Sequence, residues 1–245
     1  MRTFLLPTLW LLFAGPAAAG SDEPLAPGSG PLSLAELARK ADFVALAQVR
    51  DTDYLRSRDI PVSGSAYLRV LVPYKGDAGI ELVEVYEKGL HERECYFPDR
   101  DVFEEGRRYL LFLQHDADHP ERYRGLAEGC AVDVLVDRDN RYAIRLPVTG
   151  LTLSDPLEQL ARTMQFSDPY AVVDDASLPP ALRDAMLATG QIVSHESEAA
   201  SSSPGPAGLP RPDAAASRLW RYTRGVSLGE FRELMRLEPA DRQTR

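Results

Sequence analysis

The sequence predicts a mostly β fold: a five- to six-stranded barrel with flanking helices, a helical annex and a tethered C-terminal helix. Three observations carry that expectation. Glu105 to Leu113 is the densest apolar strand after the N-terminal leader, with Tyr109, Leu111 and Leu113 on one face and Leu110 and Phe112 on the other, as in a strand covered on both sides. Shorter alternating segments precede and follow it. The only two cysteines of the chain, Cys95 and Cys130, bracket it and can clamp it into the sheet.

Before the barrel stands a leader. Met1 and Arg2 form a short positive start, Phe4 to Ala14 an apolar stretch, and Ala17 to Ala19 a small-residue cleavage pattern, so residues 1–19 read as a signal peptide. A membrane span needs roughly 20 apolar residues, and no stable span is expected once the leader is removed. Residues 20–31, rich in Pro, Gly and Ser, form a flexible lead-in. Cleavage removes Arg2, and the formal net charge of the mature chain becomes −9 − 1 = −10. That balance disfavours nucleic acid as a partner. The expected location is exported, periplasmic or extracellular, where two cysteines oxidise to a disulfide.

The barrel unit spans residues 32–166. Ser33 and Glu36 form a capping box ahead of Leu34, Leu37, Ala38 and Ala41 at helical spacing. Phe43 to Val49 is the first strand. Thr52 to Gly64 reads as polar and turn-rich, and Leu68, Val70, Val72 and Tyr74 alternate as the second strand, with Pro73 marking an edge or bulge. Lys75-Gly76-Asp77 is a turn, followed by Leu82 to Tyr86 as a third strand. After the central strand come Arg122 to Leu126 and then Val132, Val134 and Val136, paired with Tyr142, Ile144 and Leu146 across the turn Asp137 to Asn140. Asp155, Pro156 and Glu158 start a helix with Leu157, Leu160, Ala161 and Met164 as its apolar stripe, placed to cover the second barrel face.

Residues 167–193 form the helical annex, with a short helix at Leu182, Met186 and Leu187. Residues 194–216, crowded with Ser, Pro, Ala and Gly, read as a disordered linker. Residues 217–245 form a C-terminal amphipathic segment. Ser227 and Glu230 cap its helix, and Trp220, Leu228, Phe231, Leu234 and Met235 are its candidate docking residues, seated either on the protein's own barrel or in a partner's groove.

One helix followed by five or six short strands, the Lys75-Gly76-Asp77 turn, Cys95, the strand Gly106-x-x-Tyr109-Leu110-Leu111-Phe112 and then Cys130 resembles the TIMP-like, or netrin-module-like, OB-fold domains. The resemblance covers about residues 32–166. It implies a five- to six-stranded OB-like barrel used for binding more often than for catalysis. Metalloproteinase inhibitors of that superfamily place a cysteine at the mature N-terminus to chelate the target's zinc. This chain has no cysteine before Cys95, so that inhibitory mechanism does not carry over.

No motif names a chemistry. His115 and His119 have a spacing that binds zinc on a helix, but they fall in a loop and lack the metalloprotease Glu. His91, near Glu92, Glu94 and Cys95, is a weaker candidate. Ser63-Gly64-Ser65 lacks a nucleophile elbow, and the carboxylates of Asp99 to Asp101, Glu104, Glu105, Asp174 and Asp175 read as solvated faces. Arg107, Arg108, Arg122 and Arg124 form a basic patch only if their strands pair. The expectation is a non-enzymatic binding or interaction module without catalytic residues, metal or cofactor, whose partner is another envelope or extracellular protein. The alternative is a metal-dependent hydrolase built on His115 and His119.

Overall fold

Ser33 opens the described fold with a complete capping box: its side chain accepts from the Glu36 amide, and the Glu36 carboxylate accepts from the Ser33 amide at 2.9 Å. Helix α1 (Leu34–Lys40) follows, burying Leu34, Leu37 and Ala38. The computed structural model describes residues 31–58, 60–88, 95, 97, 102–149, 151–195 and 218–240. The leader, residues 20–30 of the lead-in, His91 and Asp99 to Asp101 lie outside them.

Five strands close a barrel: β1 (Phe43–Ser57), β2 (Ile60–Lys75), β3 (Leu82–Glu87), β4 (Arg108–His115) and β5 (Tyr123–Gly125). Their order is β1-β2-β3-β5-β4, and β4 returns to β1 from Phe43↔Leu113 to Gln48↔Arg108. The pair Val85↔Tyr123, in parallel register, joins β3 to β5. This is a closed OB-like barrel. Alternation along β1 and β4 sorts their side chains into two cores. Phe43, Ala45, Ala47, Tyr109, Leu111 and Leu113 fill the barrel with β2 and β3 residues. Val44, Leu46, Leu110 and Phe112 face the other way, under helices. β4 is therefore covered on both sides, as its pattern predicts.

Cys95 and Cys130 form a disulfide inside the first of these cores. Gly125 leaves it room: a Cβ there would stand 2.7 Å from Cys130 Cβ and 3.0 Å from Cys95 Sγ. Closing a loop of 35 residues stabilises a fold by roughly 4 kcal/mol in the chain-entropy model.

Beyond β4 the sheet continues through β6 (Ala131–Val136) and β7 (Tyr142–Arg145). The turn between them is the expected one, with Asn140 at φ 59° and Asp137 accepting from the Asp139 and Arg141 amides. After β7 the structure departs from the sequence reading. Of the helix expected from Asp155 to Met164 only α2 (Leu157–Leu160) forms: Asp155 gives its carboxylate to the Leu34 amide of α1, at 2.6 Å, and Arg162 and Thr163 pair with Gly225 and Arg224 instead of continuing the helix. The chain then extends as β8 (Arg162–Thr163).

Residues 167–193 are likewise not a purely helical annex. They contain β9 (Val172–Asp174), α3 (Pro180–Ala188) and the start of β10 (Ile192–His195), with single 3-10 turns at Pro169–Ala171 and Asp175–Ser177. β11 (Leu219–Tyr222) lies between β10 and β9 in a second sheet, over a third core formed by Phe166, Leu178, Met186, Ile192, Trp220 and Tyr222 with residues of β6 and β7.

The C-terminal stretch is part of the fold rather than a tethered appendage. β12 (Arg224–Ser227) sits between β7 and β8. Gly225 allows that approach, since a Cβ there would meet the Ile144 carbonyl at 2.7 Å. Helix α4 (Leu228–Met235), capped by Ser227, then buries Leu228, Phe231 and Met235 in the same core as α1 and the outer sides of β1 and β4, with Leu234 packed against it. Helices α1 and α4, joined by Leu157 of the short α2, supply the helical cover of the second barrel face. A boundary after residue 166 would cut through two hydrophobic cores and one sheet.

The supposed linker changes meaning too. Ser194 and His195 belong to β10, and His195 pairs with Leu219, so residues 196–217, which lie outside the described residues, connect two paired strands. A single cut there is expected to leave both fragments associated, although the one disulfide lies entirely in the N-terminal fragment. Size-exclusion chromatography of nicked protein checks this: co-elution and a single melting transition are expected, and separate peaks would refute it.

Candidate binding face

The β2–β3 register decides which side chains share the outside of the barrel. Ser65 stands opposite Tyr86, Tyr67 opposite Glu84, and Arg69 opposite Leu82, and directly opposed residues point to the same side of a sheet. The inner set, Ala66, Leu68, Val83 and Val85, is buried, so the first set faces out. Tyr123 of β5 is buried opposite Val85, and its neighbours Arg122 and Arg124 therefore join the outer face.

These residues form an ordered surface. The Arg122 guanidinium lies over the Tyr86 ring, 3.7 Å from its centroid, and its Nε donates to Asp116 Oδ2 at 2.6 Å. Ser65 Oγ donates to Glu84 Oε1 at 2.6 Å. Tyr67, Glu84 and Tyr86 are half-buried, while Arg69 and Leu82 are exposed. Restraint by Asp116 and Tyr86 means that Arg122 loses little side-chain freedom when a partner covers it.

Asp116 also closes the β4–β5 loop, accepting from the Asp118 amide at 3.1 Å. Burial raises its pKa, but Arg122's hydrogen bond and charge and the Asp118 amide outweigh this and hold the carboxyl below the usual aspartate range. A depressed carboxylate contributes stability above its unfolded pKa, and that contribution is lost as pH falls through the lower folded value. Acid titration followed by the Arg122 side-chain NMR signal should show the pairing persisting through the ordinary aspartate range and lost only below it. Asp116→Asn should lack the pairing already at neutral pH.

The other sequence candidates are used elsewhere. The His115 ring stacks on Tyr123 with centroids 4.6 Å apart and has Nδ1 3.1 Å from the Pro120 carbonyl, whereas His119 faces Glu121 at 3.5 Å. Among the described residues no three His, Cys, Asp or Glu side chains gather into a metal-ligand group. Arg107 and Arg108 do not join Arg122 and Arg124 in a basic patch: Arg107 pairs with Glu104 and Asp133, and Arg108 with Asp168.

Trp220, Leu228, Phe231 and Met235 are buried in the protein's own cores, with Leu234 packed beside them. They are therefore structural residues and do not form an open partner surface. Burial, followed by the charge of Glu87, pushes the Tyr54 hydroxyl well above the usual tyrosine range, so it is no candidate nucleophile. The cleft between α1 and α4 carries Arg39, Lys75 and Arg236, but Lys75 Nζ donates to the Ala38 and Arg39 carbonyls, at 3.0 and 2.8 Å, and so caps α1.

The sequence reading missed Tyr67 and Tyr86. Their i, i+2 neighbours, Ser65 and Arg69 on one strand and Leu82 and Glu84 on the other, were the available signal that they face outward. The class that fold and face define is an OB-like barrel with an ordered Tyr and Arg surface. Comparison with protein-family models, curated proteins and solved structures finds no match.

Proposed function

We propose that this protein is an exported, non-enzymatic binding module that presents the outer face of β2, β3 and β5 to another envelope or extracellular protein. The observation that carries this reading is the juxtaposition of Tyr67, Tyr86 and the stacked Arg122, since tyrosine and arginine anchor protein interfaces well beyond their share of the surface. In OB barrels generally, the strand 2–3 face and the loops bordering it form the usual ligand surface. Here the β1–β2 turn and the Asp116 to Arg122 loop occupy those positions. The disulfide and the leader sequence support export, and the strand order is that of an OB-like barrel.

A photo-crosslinking residue placed at Tyr67, compared with one at Arg138 in the β6–β7 turn, tests the reading in the native envelope. A discrete protein adduct from position 67 alone is expected. No adduct at 67, or the same adducts from both positions, would overturn it.

A further inference from the structure

The β1–β2 hairpin continues past the third strand, whose pairing with β2 ends at Gly64↔Glu87, and its end is apolar and exposed. Leu55, Ile60 and Val62 are 64%, 57% and 45% accessible. Leu55 pairs with Ser63 and Ile60 with Ser57, so Leu55 and Ile60 share one side of the ribbon, with Val62 in the bulge beside them. At the turn, Arg58 has φ 51°, a conformation that a glycine or asparagine adopts at lower cost. Its neighbour Asp59 lies outside the described residues.

Charge is segregated along this ribbon. Asp51 and Asp53 are exposed on the stem and Arg58 at the tip, with Leu55 between them. Arg56 turns to the other side, toward Phe103 and Val173. Arg50, the extra residue of the bulge between Val49 and Asp51, stands at the barrel end of the stem.

We infer that the hairpin is a self-association element whose occupant is the hairpin of a second copy of this chain. Two such ribbons related by a twofold axis near Leu55 run antiparallel. Each Arg58 then lies beside Asp51 and Asp53 of the other copy, and the Leu55, Ile60 and Val62 side chains meet in the middle. A two-stranded ribbon with exposed aliphatic residues is a natural site of chain-to-chain association, and a twofold contact requires a self-complementary patch. The opposed charges at stem and tip supply that complementarity in the antiparallel arrangement only. Asp51 and Asp53 stand opposite Tyr67 and Ser65, so the element adjoins the Tyr67 and Tyr86 face, and a dimer competes with a heterologous partner for it. Three aliphatic side chains per copy make a small contact, and the dimer dissociates on dilution.

Sedimentation velocity of the disulfide-bonded exported chain across a concentration series tests this. The expected result is a shift from the mass of one chain to that of two. Leu55→Asp should abolish the shift, and Arg58→Gly, which suits the backbone at that position and so preserves the fold, should move it to higher concentration. Arg58→Asp alone and the pair Asp51→Arg with Asp53→Arg alone should each be monomeric. Mixed one to one they should form a heterodimer, because every Arg then faces an Asp of the other variant. A monomer at all concentrations, or a dimer insensitive to these changes, would overturn the proposal. So would a monomer that sediments with phosphatidylcholine and phosphatidylglycerol vesicles through Leu55, since the occupant would then be a lipid surface.

Discussion

Phe231→Ala is expected to lower the unfolding free energy by about 3 to 5 kcal/mol, the cost of deleting a fully buried aromatic side chain. Phe231 is 0% exposed and shares its core with α1 and the outer sides of β1 and β4. Its loss therefore weakens the barrel wall as well as the C-terminus. A chain ending at Ser167 removes more: β12, α4 and their apolar side chains. That truncation is expected to abolish cooperative unfolding. Urea denaturation of both variants checks the prediction, and a truncated barrel with a sharp transition of near-native stability would show that the C-terminal stretch is an ornament after all.

The second large effect is expected at Asp133. Arg145 and Asp133 are 2% and 6% exposed, and Arg145 Nε donates to Asp133 Oδ2 at 3.1 Å while Nη2 binds the same oxygen. Nη2 also reaches Thr149 Oγ1 at 3.0 Å, and the guanidinium lies over the Tyr222 ring, so this pair joins β6 and β7 to the strand that carries the third core. Asp133→Ala leaves a buried guanidinium without its carboxylate, which typically costs about 3 to 5 kcal/mol. Replacing both partners, as in Asp133→Leu with Arg145→Met, should cost less than the single change, because the most buried guanidinium goes with its carboxylate and Arg107 keeps Glu104. Denaturation midpoints of the three proteins decide between this account and one in which the pair itself is a large net source of stability.

Much of the fold was legible because its elements carry their reason locally. β4 shows two apolar faces in sequence, and Ser33 with Glu36 and Ser227 with Glu230 announce helix starts that the structure contains. The β1–β2 extension was not legible. Thr52 to Gly64 lacks apolar alternation because much of that ribbon faces solvent, and its strand character comes from the cross-strand ladder Thr52↔Ala66 to Ser57↔Ile60.

The helix expected to run from Asp155 to Met164 failed for a long-range reason. Asp155 has a better-placed amide to bind, on a helix more than a hundred residues upstream. β12 was hidden because Gly225 and Arg224 give no strand signal and their partners, Arg145 and Thr163, are far away in sequence. The binding face was hidden for the same reason, since Tyr67, Tyr86 and Arg122 become neighbours only once the register of three strands is set.

Hydrogen exchange on the exported protein, alone and with soluble envelope extract, tests the central claim most directly. Leu228 to Met235 should be protected in the protein alone, since Phe231 and Met235 are already buried. Added extract should slow exchange at Tyr67 to Arg69 and at Glu84 to Tyr86, and leave α4 unchanged. Slowing confined to Leu228 to Met235, or no change at β2 and β3 at any extract concentration, would contradict the assignment of the barrel's outer face as the binding surface.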